Sequence, residues 1–232
     1  MSWKTAYRSM YYQGAPEPAD MDLDRAETAL LVIDVQNTYL ETRAREDVPP
    51  DEQAKWDRWV PFNKRMREIV IPNTRAMIDT FRGNGLEVMF ARIACLTQDG
   101  RDRSLSQKKP GWNYLLMPRG TEESRLVPEL EPQGDEIVIT KTTDSALTGT
   151  NLRLILRNME IENVVACGIF TDQCISSTVR SLADESYDVV VLEDCCAAGT
   201  DELHHKELEI INNIYCHVMS SRELRDMMKL GE

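Results

Sequence analysis

Three side chains that could carry out nucleophilic chemistry stand after apolar, strand-like segments of the sequence. Asp34 ends the run ALLVID, Lys141 follows IVIT, and Cys174 comes shortly after VVACGIF. A thiol can attack a carbonyl carbon, a carboxylate can take up the thiol proton, and an ammonium can stabilise negative charge. These residues are therefore candidates for the nucleophile, the base and the electrostatic partner of a covalent mechanism.

The position of Cys174 favours an activated thiol. Apolar residues recur at helical spacing after it, so a helix is predicted to begin near this cysteine. Thr171 or Asp172 is expected to cap that helix by accepting a backbone N–H bond. The helix N-terminus and the Lys141 ammonium would both stabilise the thiolate, and free N–H groups at the helix start are suited to binding an oxyanion.

Each of the three residues also has a structural interpretation. A lone cysteine at a strand–helix junction is often only a small buried hydrophobic residue. Asp34 is suited to capping a turn, and Lys141 to a surface ion pair. Spacing alone therefore leaves the catalytic and the structural interpretations open.

Apolar runs alternating with helical patterns predict the elements that would hold these side chains. Strands are predicted at 29–34, 86–93, 137–140, 164–170, 188–192 and about 215–219. Helices are predicted over 71–81 and 149–158, from near 174, over about 202–212 and from about 222. Residues 41–67 are predicted as an inserted loop followed by helical structure. Residues 96–127 are predicted as a long irregular stretch. This alternation predicts an α/β fold, a three-layer α/β/α Rossmann-like domain with a central, mostly parallel six-stranded sheet. Ligands bind such sheets at the carboxyl ends of the strands.

Length, charge and cysteine usage restrict the class of protein. With 232 residues, 42% of them hydrophobic, we predict an N-terminal arm over 1–27 and a single domain over 28–232. The formal net charge of -12 argues against a nucleic-acid partner. No apolar run could span a bilayer, and the N-terminus lacks the apolar core of a secretory signal. The six cysteines form neither a CxxC pair nor a Cys/His zinc pattern, which favours reduced thiols and a cytoplasmic location.

Three longer segments carry a resemblance to a known family. They are LLVIDVQN (30–37), KTTDSALTGTNL (141–152) and GIFTDQCISSTVRSLADESYDVVVLEDCCAA (168–198). In this order they closely resemble the isochorismatase-like cysteine hydrolase family, and the likeness extends from about Thr28 to Leu224.

The resemblance implies a site and an assembly. It implies a catalytic triad of Asp34, Lys141 and Cys174, and a cis peptide between Ile169 and Phe170. The oxyanion hole would be formed by the backbone N–H groups of Phe170 and Cys174. It also implies a homo-oligomer, a dimer or tetramer, in which the N-terminal arm has a subunit to pack against.

Departures from the family pattern narrow the expected chemistry. True isochorismatases lack the nucleophilic cysteine, so Cys174 argues against vinyl-ether hydrolysis. Nicotinamidase-like members bind a metal through histidines after the second strand, but the matching stretch ARIACLTQDGRD has none. We therefore expect no metal and no cofactor. The sequence is similar to the metal-free amidases that act on biuret, triuret, ureidoacrylate and N-carbamoylsarcosine, although Leu147 replaces a frequently aromatic position.

The predicted function is cleavage of a C–N bond in a small amide, ureido or carbamoyl compound through a thioester. Two alternatives stay open: a thiol-redox protein, which needs a resolving cysteine near Cys174, and a non-catalytic family relative that serves as a binding or scaffold module. The predicted substrate-binding residues are Gln36, Asn37, Tyr39, Trp112 and Gln173, and Trp56 and Trp59 are further candidates for the pocket wall.

Two pairs of adjacent residues elsewhere, one of cysteines and one of histidines, are predicted to have no catalytic role. Cys195 and Cys196 are adjacent in sequence, where a disulfide is geometrically strained, so they are interpreted as packing residues. His204 and His205 lie near the start of a predicted helix and are expected to face solvent or a loop.

Overall fold

Six parallel strands form one sheet at the centre of the protein. The computed structural model describes residues 2–111 and 113–231. The strand order is β3-β2-β1-β4-β5-β6, and all five neighbouring pairs are parallel. The strands are β1 (Thr28–Ile33), β2 (Glu87–Ile93), β3 (Ile137–Lys141), β4 (Asn163–Ile169), β5 (Asp188–Ala197) and β6 (His217–Met219). The predicted α/β fold is confirmed, and the sheet is wholly parallel rather than mostly so.

Helices flank this sheet and account for the predicted outer layers. They are α1 (Gln53–Arg65), α2 (Ile71–Gly83), α3 (Leu105–Lys108), α4 (Leu152–Asn158), α5 (Ser176–Asp184), α6 (Asp201–Ile211) and α7 (Ser221–Met228). A π-helical turn over Met66–Val70 joins α1 to α2, and another over Thr171–Ile175 leads into α5. Among the described residues, no helix is long and apolar enough to cross a membrane.

The two central strands explain why the sequence reads as continuous apolar runs. Every residue of β1 and of β4 is buried, as expected for strands covered on both faces. Strand order reverses between β1 and β4, because β2 and β3 lie on one side of β1 while β5 and β6 lie beyond β4. This reversal is the point at which open parallel sheets bind ligands at their carboxyl edge.

The element boundaries differ from prediction in places that have local causes. α4 begins at Leu152, not near 149, because Gly149 adopts a positive φ of 74°. β5 continues to Ala197 beyond the predicted end at 192, across an irregularity in its pairing with β4. The long stretch 96–127 is irregular as predicted, apart from the single turn of α3.

The N-terminal arm lies on the surface of its own chain. Trp3 is only 7% exposed, and its backbone N–H donates to Glu223 of α7 over 2.8 Å. The Asn212 side chain donates to the carbonyls of Ala6 and Tyr7, each over 3.1 Å. The arm is thereby attached to the α6–α7 side of its own domain.

Gly168 permits the close approach of β4 to β1 beside the candidate nucleophile. Its φ is 121°, and a Cβ atom there would lie 2.0 Å from the carbonyl oxygen of Ile33. The neighbour is backbone in a buried strand, so it cannot move aside as a flexible side chain would. Only glycine fits this position.

We expect Gly168→Ala to destabilise the fold by roughly 3 kcal/mol or more, from combined backbone strain and overpacking. Urea unfolding followed by circular dichroism measures the change. Gly199→Ala is the matched control, because a Cβ there meets nothing within 4 Å. Equal stability of the two variants would contradict the argument.

Candidate active site

The carboxyl edge of the sheet brings Asp34, Lys141 and Cys174 together. Asp34 follows β1, Lys141 ends β3, and Cys174 lies in the π-helical turn after β4. Asp34 is held at a positive φ of 56°, and its N–H donates to the carbonyl of Ala91 over 2.9 Å. A non-glycine residue in this conformation is costly and often marks a functional position.

The Lys141 ammonium stands at the centre of the group. Its Nζ lies 2.6 Å from Oδ2 of Asp34, 3.3 Å from Sγ of Cys174 and 3.1 Å from the carbonyl oxygen of Thr143. A lysine ammonium has three donors, so these contacts use all of them. Lys141 is completely buried and Asp34 is 1% exposed, whereas Cys174 is 6% exposed. Oδ1 of Asp34 has no hydrogen-bond partner among the described residues, which leaves it able to accept a proton.

Burial sets the protonation of this cluster. It raises the pKa of the Cys174 thiol well above its usual value, the Asp34 carboxylate raises it further, and Lys141 opposes the rise only in part. Burial also raises the pKa of Asp34 against the opposing effect of Lys141. Burial alone would lower the pKa of Lys141, but Asp34 and Cys174 raise it overall. The free site therefore favours a neutral thiol beside an ion pair, so Cys174 must give up a proton before or as it attacks.

The turn that carries Cys174 is organised by the backbone of Phe170. The peptide between Ile169 and Phe170 is cis. The Phe170 carbonyl accepts from the N–H groups of Gln173 at 3.0 Å and Ile175 at 3.2 Å. No side chain caps the turn, so the cap expected from Thr171 or Asp172 was predicted wrongly.

The predicted substrate-binding residues take different positions. Gln36 is fully buried, and its amide bonds both backbone groups of Ile93 and the carbonyl of Ser124, so it holds a loop and has no group free for a substrate. The prediction for Gln36 was therefore wrong, because a polar side chain beside a strand end can also satisfy loop backbone. The Asn37 amide nitrogen donates to the carbonyl and the carboxylate of Glu122. Substrate binding by Asn37 stays a prediction.

Other predicted binding residues line two cavities near the triad. Tyr39 lines a cavity of about 380 Å³ together with Trp56, Trp59 and Phe170. The centroids of the Tyr39 and Phe170 rings lie 5.3 Å apart in an edge-to-face arrangement. Burial and the Asp34 carboxylate raise the pKa of Tyr39, so its hydroxyl is neutral. Gln173 is exposed and lines a second cavity of about 400 Å³. Trp112 lies outside the described residues.

His204 is a site-supporting residue that the sequence analysis placed wrongly. It lies in α6 but is completely buried, whereas His205 is exposed. Nη2 of Arg65 lies 2.9 Å from its Nε2, and its Nδ1 lies 2.8 Å from Oγ1 of Thr171. Arginine only donates, so Nε2 must accept and Nδ1 carries the proton toward Thr171. The neutral ring thus ties α1 to the turn that holds Cys174.

A periodic pattern in α6 could have revealed this burial. His204, Leu208 and Ile211 are all buried, at the spacing of one helix face. The two apolar members were visible in the sequence, and His204 continues their face toward the sheet.

His204 is expected to make stability sensitive to acid. Burial and the nearby Arg65 lower its pKa to about 3, whereas an unfolded histidine titrates near 6.5. A depressed folded pKa means that its contribution is complete above about pH 6.5 and falls as the pH drops toward 3. The free energy of unfolding of the wild-type chain should therefore be about 2 kcal/mol lower at pH 5 than at pH 8 because of His204.

The variant His204→Gln lacks this titration. Its free energy of unfolding should therefore fall by about 2 kcal/mol less between pH 8 and pH 5 than that of the wild-type chain. Urea unfolding at the two pH values measures the difference, and His205→Gln, at the exposed neighbour, should behave as wild type. Identical acid sensitivity in all three proteins would refute the assignment.

Among the cysteines of the described residues, Cys174 is the one whose thiol contacts Lys141 and Asp144. All six are free and buried, and Cys167, Cys195 and Cys196 lie at 0% exposure in the core. The groups that influence the Cys174 thiol are Asp34, Lys141 and Asp144. No group of three or more His, Cys, Asp or Glu side chains in residues 2–111 and 113–231 is arranged to hold a metal ion.

Comparison with known proteins assigns the chain to a family. Its sequence is 28% identical over 198 residues to the ureidoacrylate amidohydrolase RutB of Agrobacterium fabrum, covering 77% of this chain and 78% of that protein. Its fold is similar to a cysteine hydrolase from Pseudomonas syringae, with a TM-score of 0.76 at 18% identity over 93% and 98% of the two chains. It is also similar to N-carbamoylsarcosine amidase from Thermoplasma acidophilum, with a TM-score of 0.64 at 25% identity over 84% and 96%. Residues 28–223 match the Isochorismatase domain, and the chain belongs to the isochorismatase family.

Proposed function

We propose that this protein is a cysteine-dependent amidohydrolase that cleaves a C–N bond of a small amide, ureido or carbamoyl compound. The observation that carries the proposal is the placement of the Lys141 ammonium between the Asp34 carboxylate and Cys174 Sγ, at 2.6 and 3.3 Å. The names of two relatives, a ureidoacrylate amidohydrolase and an N-carbamoylsarcosine amidase, support the same bond type.

Acylation begins with the neutral thiol that the free site favours. Asp34, whose pKa is raised by burial, accepts the Cys174 proton as Sγ attacks the carbonyl carbon. The backbone N–H groups of Phe170 and Cys174 hold the oxyanion, and Lys141 keeps a positive charge beside the reacting sulfur. The C–N bond then breaks, and Asp34 returns its proton to the nitrogen, which leaves as ammonia or an amine.

Deacylation uses the same groups in the reverse order. Asp34 takes a proton from water, whose oxygen attacks the thioester carbon. The C–S bond breaks, the acid is released, and Asp34 returns the proton to Sγ. Lys141 remains protonated throughout, so only one proton moves between the carboxylate and the reacting atoms.

The two rival functions have less structural support. A thiol-redox role requires a resolving cysteine, but the Cys174 thiol contacts Lys141 and Asp144, and all six cysteines are free. A non-catalytic scaffold does not require a completely buried lysine with all three donors directed at Asp34, Cys174 and the Thr143 carbonyl. The homo-oligomeric state, the cytoplasmic location and the boundary between arm and domain near residue 27 stay predictions.

Ammonia release from a substrate panel tests the proposal. The panel contains biuret, triuret, N-carbamoyl amino acids, ureidoacrylate, nicotinamide and simple aliphatic amides, each with and without a chelator. Turnover that resists the chelator and is lost in Cys174→Ala is the expected result. No turnover of any compound, with Cys174 also inert to alkylation, would overturn the assignment.

A further inference from the structure

A second carboxylate faces the candidate nucleophile and has no part in the mechanism above. Oδ1 of Asp144 lies 3.9 Å from Sγ of Cys174. Asp144 sits three residues beyond Lys141, in the loop that leads toward α4, and is partly buried. Asp34 forms a direct ion pair with Lys141, whereas Asp144 forms no ion pair within 4 Å of a cation among the described residues.

The cavity beside Asp144 has an excess of negative charge. Asp144 and Asp172 line it together, and Oδ1 of Asp172 has no hydrogen-bond partner in the described part of the chain. Arg180 lines the same cavity, but its guanidinium pairs with Glu207 at 3.0 Å and stacks over Tyr215 at 4.5 Å. Among the described residues of this wall, Arg180 is the cation and is already paired, whereas Asp144 and Asp172 form no ion pair.

The chemistry of a carboxylate at this distance restricts what can approach the sulfur. An ionised carboxylate only accepts hydrogen bonds, so it suits the N–H groups of an amide, a ureide or an ammonium. It repels a second carboxylate by Coulomb interaction, and the repulsion is strong at a few ångströms in a partly buried site. A substrate whose carbonyl reaches Sγ must place its nearest substituents beside Asp144.

We propose that Asp144 is a specificity-determining residue that binds N–H groups of neutral or cationic amides and disfavours substrates with a carboxylate near the reacting carbonyl. This inference rests on the proposed function, because it requires Cys174 to be the nucleophile. It deepens that function by stating the charge class of the substrate.

Alkylation by two reagents of nearly equal size but different charge tests the proposal without a known substrate. Iodoacetamide is neutral and iodoacetate is anionic; each forms a bond from Sγ to its methylene carbon as iodide leaves and the thiol proton is lost. The ratio of the two rates at Cys174, measured by peptide mass spectrometry, should fall about tenfold in Asp144→Asn. Asp144→Ser should change the ratio in the same direction. Agreement between the two variants would show that the effect comes from loss of the carboxylate and not from a structural defect of one variant.

A distant charge provides the matched control. Glu160 is exposed and lies just before β4, at the opposite edge of the sheet, so Glu160→Gln removes the same charge and should leave the ratio unchanged. With turnover, the preference in kcat/KM for N-carbamoylglycinamide over N-carbamoylglycine should also fall about tenfold in Asp144→Asn. kcat/KM for N-carbamoylglycine should rise in this variant, because the carboxylate of that compound is no longer repelled.

Three outcomes overturn the proposal, and they can be told apart. Unchanged reagent and substrate ratios in both Asp144 variants would remove its role in selection. Loss of all turnover in folded Asp144→Asn would place Asp144 in the proton transfer instead. Failure of both reagents to modify Cys174 in the wild-type protein would overturn the proposed nucleophile, and the selection by Asp144 with it.

Discussion

Cys174→Ala is expected to reduce amide hydrolysis by at least roughly 10⁴-fold, because it removes the atom that forms the covalent intermediate. The fold should survive, since the change deletes one sulfur at the rim of the core, where Cys174 is 6% exposed. The loss should therefore appear in kcat with an unchanged circular dichroism spectrum. Mass spectrometry of wild-type protein quenched during turnover should detect the acyl adduct on the peptide that contains Cys174.

Cys216→Ala is the matched control for this prediction. Cys216 is also buried and free, but its thiol contacts the carbonyl of Ile211 and not the triad. The control should keep nearly full activity with a modest loss of stability. If Cys174→Ala retained more than about a hundredth of wild-type kcat, the covalent mechanism would be untenable.

The sequence predicted the grouping of Asp34, Lys141 and Cys174 because each follows or ends a recognisable apolar strand segment. In a parallel sheet, strand ends converge at one edge, so Asp34, Lys141 and Cys174 could be grouped although they are far apart in sequence. The charge state of the cluster could not be predicted in the same way. It depends on how completely Lys141 is buried and on which three acceptors its ammonium contacts, and both are properties of the packed structure.

The errors concern polar residues whose partners lie far away in sequence. Gln36 was assigned to the substrate, but its amide is used by backbone groups of Ile93 and Ser124. His204 was expected at the surface, but Arg65 and Thr171 supply both of its ring nitrogens with partners. Sequence position beside a functional residue therefore predicts proximity to the site but not the direction of the side chain.

The position of the Asp144 side chain also could not be predicted from the sequence. It lies in the segment KTTDSALTGTNL that carries the family resemblance, yet nothing in the spacing indicates that its carboxylate would face Cys174. The loop after β3 folds back toward the turn before α5, and only that path brings the two side chains within 3.9 Å.

The buried ion pair of Asp34 and Lys141 is expected to be structural as well as catalytic, and two variants separate the roles. Lys141→Met leaves the Asp34 carboxylate buried without its cation, which should cost about 3–5 kcal/mol of unfolding free energy. Without Lys141, the folded-state pKa of Asp34 rises further above its unfolded value. The folded state then binds the extra proton, so the loss of unfolding free energy relative to the wild-type chain should be larger at pH 8 than at pH 5.

The double variant Asp34→Asn/Lys141→Met removes both charges, so we expect most of the lost stability to return while hydrolysis stays absent. Lys64→Met is the control, since Lys64 is exposed and pairs with Glu68 only at 3.9 Å; it should change stability by less than about 0.5 kcal/mol. Urea unfolding at both pH values, with activity assays alongside, measures all three proteins.

Recovery of activity in the double variant would show that neither charge is needed for the chemistry. Full stability of Lys141→Met at pH 8 would show that Asp34 does not need its cation in order to be buried. Restored stability without activity would mean that the charges are kept for proton transfer at the sulfur, because a neutral pair would suffice to fill the same space.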